Sequence, residues 1–194
     1  MESIIAFDRQ MFLIINGMHN QVIDFVMFWL SDKYIWIPFY ALLLFLLIKN
    51  NKRQWWLVVL SLILLVTLTD QISVKLFKDV FLRLRPCHEP LLEGMVRTLN
   101  GHCGGSYGFV SSHAANTFGL AVFVGTVIRS KYRYLLPFLL IWAALISYSR
   151  VYLGVHYPGD VIAGGIVGAL TGYLLYLLFL FLKARLTLAD KSKN

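Results

Sequence analysis

Trp55-Trp56-Leu57-Val58-Val59-Leu60-Ser61-Leu62-Ile63-Leu64-Leu65-Val66-Thr67-Leu68-Thr69-Asp70-Gln71-Ile72-Ser73-Val74 decides the fold class. The run has no Pro or Gly and a single ionisable residue, Asp70. About twenty residues rising 1.5 Å each cross the ~30 Å hydrocarbon core of a bilayer. In that solvent the backbone must satisfy its own hydrogen bonds, which a helix does. Four further apolar runs lie at 34–48 (extendable back to 31), 112–128, 134–148 and 161–182. The chain is 58% hydrophobic and 14% charged, with a mean hydropathy of +0.68. Soluble domains sit near 45–50% and 25%. The expected fold class is all-α: an integral membrane helical bundle of five or six transmembrane helices.

Residues 1–30 are mixed. Asp8, Arg9, Asn16, His19, Asn20 and Asp24 recur too often for an ordinary span. They read as interfacial amphipathic helices broken near Asn16-Gly17, or else as a poor first span. Residues 31–188 then form a single membrane-embedded domain, and 189–194 a disordered cytoplasmic tail. Met-Glu-Ser at the start offers no basic leader, so no cleaved signal is expected. Trp36, Trp55, Trp56, Tyr132 and Tyr134 stand near predicted span ends, as interface aromatics do.

Loop charges orient the bundle. Lys49, Lys52, Arg53, Arg129, Lys131, Arg133, Lys183, Arg185, Lys191 and Lys193 fall on one side, against Asp190 alone. Basic loops stay cytoplasmic. The net charge of +8 is thereby accounted for by membrane topology, and no nucleic-acid partner is implied.

Three polar clusters then fall on the opposite, extracytoplasmic side: Lys78…Arg85-Pro86, Ser111-Ser112-His113 and Ser149-Arg150…His156…Asp160. Three cations, hydroxyls, two imidazoles and a carboxylate are what holding and cleaving a tetrahedral anion requires. If 73–84 continues the second span as a helix, Lys75, Lys78 and Arg85 share a face. Lys75 and Arg83 read as cations snorkelling to lipid headgroups. Ser111 reads as a helix N-cap, a position that also suits phosphate. An Asp near a His fixes its tautomer, and Arg150 offers a bidentate fork.

The long loop 86–111 carries Cys87 and Cys103, each beside a histidine, His88 and His102. A disulfide, a Cys2His2 zinc site and free thiols all stay open, although adjacent Cys-His pairs match zinc spacing poorly. Arg97, Glu89 and Glu93 read as the loop's polar coat. Asp70 reads as structural. Gly164, Gly168 and Gly172 form a small-residue ridge that serves either within the chain or in a homodimer.

Lys78-x6-Arg85-Pro86, Ser111-Ser112-His113 and Ser149-Arg150-x5-His156-x3-Asp160 together resemble the three-part signature of the type-2 phosphatidic acid phosphatase and vanadium haloperoxidase superfamily, in its small bacterial lipid phosphatase branch. The resemblance covers roughly 55–183; residues 1–30 add nothing to it. It implies His156 as nucleophile forming a phosphohistidine, Asp160 as its orienting partner and His113 as acid and then base. Lys78, Arg85, Ser111, Ser112 and Arg150 would bind phosphate, with no cofactor and no metal. The middle motif departs from the family: Val110 and Ser112 stand where Pro and Gly are usual.

The expected function is hydrolysis of a lipid phosphate on the outer face of a bacterial cytoplasmic (inner) membrane. Undecaprenyl diphosphate, phosphatidylglycerol phosphate, phosphatidic acid and lipid A are the candidate substrates. The alternatives are a lipid phosphotransferase and a non-catalytic lipid-binding or transport protein.

Overall fold

The computed structural model describes residues 2–101 and 103–191. His102 of the zinc alternative and residues 192–194 of the tail lie outside the described residues. In chain order the helices are α1 (Glu2–Gly17), α2 (Gln21–Ser31), α3 (Ile37–Asn50), α4 (Trp55–Gln71), α5 (Asp79–Phe81), α6 (Ser112–Val127), α7 (Leu135–Tyr152) and α8 (Pro158–Lys191). A π-helical turn, Ile72–Lys78, joins α4 to α5, so that Lys52–Phe81 is one continuous 30-residue rod. Such wide turns are uncommon and concentrate at functional sites; this one carries Lys78. Extended pairing among the described residues is a single antiparallel bridge, Leu84 with Tyr107.

Among the described residues, three helices are long and apolar enough to cross a bilayer: Lys52–Phe81, Leu135–Tyr152 and Pro158–Ala189. The pair α1 and α2, bent by 116°, makes a fourth if it counts as one span. At 14 and 16 residues, α3 and α6 are shorter. For α6 the reason lies in its position. It packs on α3, α4, α7 and α8, so neighbouring helices, rather than lipid, cover much of its length.

Small residues set that packing. A Cβ on Gly164, Gly168 or Gly172 of α8 would overlap the carbonyl oxygen of Ser111, Ala115 or Gly119. The ridge is therefore spent within the chain, where it lets two backbones touch. A homodimer would need another face. A core of Leu43, Leu47, Leu57, Leu65, Phe123, Leu139, Trp142 and Phe179 fills the bundle below the site.

Three other expectations change. The continuous helix ends at Leu82, whose φ of 47° is left-handed, and does not continue through 84. Arg85 therefore sits on extended chain, not on a helix face with Lys75 and Lys78. The tail predicted from Ala189 is helical to Lys191. The N-terminal segment does break after Gly17, where Asn20 caps α2 by accepting the N–H of Ile23 at 2.9 Å. It is docked, however, on α7 and α8.

Candidate active site

The three clusters converge on one cavity of about 400 Å³. Its walls include Lys78, Arg85, Ser112, His113, Arg150 and His156, with Phe28, Ser31 and Asp32 contributed by the end of α2. Lys78 comes from the wide turn, His113 from the first turn of α6 and Arg150 from the last turn of α7. His156 comes from the turn before α8. That turn depends on Gly154, whose φ is +80° and where a Cβ would lie 2.6 Å from the Arg97 carbonyl. Both facts exclude a side chain.

Asp160 stands behind the cavity, fully buried, in the first turn of α8. Its Oδ2 faces His156 Nδ1 at 3.4 Å and accepts the N–H of Tyr157 at 3.0 Å. With Nδ1 turned to the carboxylate, Nε2 is the nitrogen on the opposite side of the ring. His156 is 2% exposed. Burial is the main cause that lowers its pKa to about 4, against the pull of Asp160. The imidazole is neutral at pH 7 and carries a free lone pair.

The cations are held by neutral oxygens. Lys78 Nζ donates to Ser112 Oγ at 2.8 Å. Arg150 Nη1 donates to Ser31 Oγ, while the buried Arg150 Nε has no protein partner. Arg85 Nη1 donates to the Cys103 carbonyl at 2.9 Å and Nε to that of Tyr107 at 3.3 Å. Burial lowers the Arg85 pKa, but a guanidinium remains charged. None of these three cations is neutralised by a carboxylate in a direct bond among the described residues, so the cavity is prepared for an anion.

One expected ligand is not in the cavity. Ser111 is fully buried. Its N–H donates to the Asp160 carbonyl at 3.0 Å, and its hydroxyl caps α6 by accepting the N–H of Ala114 at 3.4 Å. Ser112 takes its place on the wall. Cys87 and Cys103 are joined in a disulfide with Cα atoms 6.1 Å apart, which ties the loop bearing the Arg85 contact. His88 Nε2 bonds the Gly104 carbonyl at 3.2 Å.

Sequence reasoning missed Arg83. It does not snorkel: Nη1 donates to Asp160 Oδ1 at 2.8 Å and Nη2 to Asp8 Oδ2 at 2.6 Å. A signal existed. Arg83 stands two residues before Arg85 on chain leading to a proline, and extended chain puts such residues on one face. Lys75, by contrast, is peripheral, paired with Asp79 at 3.5 Å on the surface. Arg97 and Glu89 are not a polar coat either. Arg97 grips Asp24 of α2, and Glu89 accepts from Arg9 at 3.2 Å. Asp70 accepts from Asn116 at 3.0 Å, a helix-to-helix tie.

The architecture and chemistry agree with what the chain is similar to. The model of the PAP2 superfamily matches residues 55–183. The lipid A 4'-phosphatase of Bacteroides thetaiotaomicron is 40% identical over 181 residues, 92% of this chain and 80% of that protein. The protein of the same name from Porphyromonas gingivalis is 36% identical over 188 residues, 95% of this chain and 78% of the relative. In fold, the crystal structure of a transmembrane PAP2-type phosphatidylglycerolphosphate phosphatase from Bacillus subtilis superposes with a TM-score of 0.73 at 19% identity, covering 95% and 88% of the two chains. With all three motifs on one cavity, the chain belongs to the PAP2 superfamily and is a membrane-embedded hydrolase of phosphate esters.

Proposed function

We propose that this enzyme removes phosphate from a lipid headgroup through a phosphohistidine on His156, at the extracytoplasmic face of a bacterial inner membrane. The observation that carries the reading is the single cavity in which Lys78, Arg85 and Arg150 surround two imidazoles, with Asp160 behind one of them.

The phosphate oxygens lie between the three cations, and the unpartnered Arg150 Nε is a ready donor to one of them. His156 Nε2 attacks phosphorus while the bond to the lipid oxygen breaks. His113 gives that oxygen its proton. Asp160 stabilises the imidazolium as it forms. Water then loses a proton to His113 and attacks phosphorus, the N–P bond breaks, and inorganic phosphate leaves with His156 neutral again. Two easier displacements replace one hard step. Three fixed cations supply the charge stabilisation that a metal gives elsewhere.

Lipid A bearing a 4'-phosphate is the first substrate to test, since the relatives from Bacteroides thetaiotaomicron and Porphyromonas gingivalis are named for it. It comes ahead of undecaprenyl diphosphate, for which a relative 32% identical over 180 residues is named. The lipid's tails stay in the bilayer while its headgroup enters beside α2. Residues 31–188 hold every group that touches phosphate.

The experiment is phosphate release by purified protein from diphosphoryl lipid A, undecaprenyl diphosphate, phosphatidylglycerol phosphate and phosphatidic acid, with chelator present. At least one lipid is expected to turn over, and His156→Ala to lose about 10⁴-fold or more in rate. Full activity in His156→Ala, or activity abolished by chelator, overturns the reading.

A further inference from the structure

Asp160 is a carboxylate with no exposure to solvent. Left with His156 alone, such a group follows one of two routes. It takes up a proton and then donates to Nδ1, which moves the imidazole hydrogen to Nε2. Or it pulls a proton onto the ring to make an ion pair. Either route removes the Nε2 lone pair that attacks phosphorus. The buried carboxylate therefore needs a cation that is not the nucleophile.

Arg83 is that cation. Its guanidinium carbon lies over the Tyr157 ring, 4.1 Å from the centroid, and the group forks between two carboxylates, Asp160 at 2.8 Å and Asp8 at 2.6 Å. Asp8 reaches in from α1, and its second oxygen accepts the N–H of Gly159 at 2.7 Å. One carboxylate thus holds both the arginine and the first turn of α8 that bears Asp160. The backbone agrees. Gly108 N–H donates to the Arg83 carbonyl at 2.9 Å, pinning the extended segment beneath α8. A Cβ on Gly108 would lie 3.0 Å from Asp160 Oδ2.

We propose that Arg83, held by Asp8 of the N-terminal helix, is a positioning residue that pairs with Asp160 and aims it at Nδ1, so that His156 presents Nε2 to the phosphate. The chain runs Asp8–Arg83–Asp160–His156, and its first member lies in a segment that carries none of the family's motif residues. The inference rests on His156 being the nucleophile. Other charges also act on that ring: Arg85 from the chain after α5 and Arg150 from α7 disfavour the imidazolium, and Lys78 and His113 line the same cavity. Behind Arg83, Asp8 faces the guanidinium from α1, and Arg9 and Glu89 act on neighbouring Tyr157.

The test uses purified full-length protein, phosphate release from the fastest of the four lipids, and Arg83→Met, Arg83→Lys and Asp8→Asn. Arg83→Met is expected to lower kcat about 100-fold with KM little changed, because reacting groups are misaligned rather than lost. It leaves Asp160 without its cation, so the carboxylate favours the imidazolium more strongly. The acid limb of kcat/KM therefore moves up by about one unit or more. Arg83→Lys keeps a charge but not the fork, so the limb stays and kcat partly recovers. Asp8→Asn is milder, and adding it to Arg83→Met costs little more.

Wild-type kcat and pH limb in Arg83→Met overturn the proposal. So does a loss confined to KM, which makes Arg83 a headgroup contact. A lower melting temperature with an unmoved limb makes it merely structural. If Arg83→Met does not accumulate, the other two variants decide by the same readouts. His156→Ala assayed alongside separates the two failures: full activity there overturns the nucleophile assignment and this proposal with it, whereas an inactive His156→Ala beside an unaffected Arg83→Met overturns this proposal alone.

Discussion

The motif-bearing helices and the N-terminal pair both reach the candidate site, but they hold their places by opposite means. In α6 and α8 the contact is backbone against backbone across Gly164, Gly168 and Gly172, with no polar side chain required. In α1 and α2 much of the apolar surface faces outward, with Phe7, Val22 and Phe25 63%, 74% and 66% exposed. There the attachment is a row of polar latches. Asp8 takes Arg83, Asn16 takes the backbone of Arg97 and Tyr152, Asp24 takes Arg97 and the Tyr152 hydroxyl, and Ser31 takes Arg150. In lipid, apolar burial gives helices little reason to associate, so close packing and hydrogen bonds must do it. One region uses the first device and the other chiefly the second.

The difference predicts two kinds of failure. Gly168→Val is the most severe test, because its side chain would overlap the Ala115 carbonyl across the central interface. Overpacking of this kind costs about 3 kcal/mol or more where backbone cannot move aside. The expected result is loss of the folded protein from detergent extracts, or a sharply lowered melting temperature, with activity lost in proportion. A Gly168→Val protein that melts like wild type would mean that α6 and α8 are not locked through this ridge.

A latch should fail more gently and more locally. Asn16 is 3% exposed and makes three hydrogen bonds, donating to the carbonyls of Arg97 and Tyr152 at 2.8 Å each and accepting the Arg97 N–H at 2.9 Å. Asn16→Ala leaves those backbone groups buried and unpaired, at about 1–3 kcal/mol. Proteolysis between α1 and α2 should accelerate while the rest of the bundle stays resistant. If the whole bundle melts as one, the comparison collapses and the N-terminal pair is part of the core.

The same contrast explains what could be read in advance. Apolar runs of near-spanning length, and polar motifs at their edges, are local patterns, so the helical bundle and the groups Lys78, Arg85, His113, Arg150, His156 and Asp160 were legible from residue spacing and from resemblance. The latches are not local. Asp8 meets a partner 75 residues away, and Asn16 one 136 residues away. Nothing in the composition of residues 1–30 marks Asp8 as reaching the arginine that holds Asp160. Ser111 failed for a different reason. An N-cap serine has one hydroxyl and one N–H, and both are spent inside the fold, a competition that only the geometry decides. Whether the helix continued to 84 and carried Arg85 on a face with Lys75 and Lys78 was open in the sequence, because the left-handed Leu82 that ends the helix carries no composition signal.

The smallest expected effect lies where the chain departs from its family, on the cavity wall. Ser112 occupies a position where glycine is usual, and its hydroxyl accepts from Lys78. Removing it frees the ammonium from a neutral partner without removing a charge. Ser112→Gly should therefore leave kcat close to wild type and alter KM by about 5-fold, the worth of one hydrogen bond near 1 kcal/mol. The direction is informative when monophosphate and diphosphate lipids are assayed together. If the Ser112–Lys78 bond sets the position of Lys78 for one headgroup size, KM changes for one class and not the other. Equal changes for both would mean that the hydroxyl only solvates the lysine, and that headgroup choice is made elsewhere on the wall, with Asp32 and Ser31 of the N-terminal side the next residues to vary.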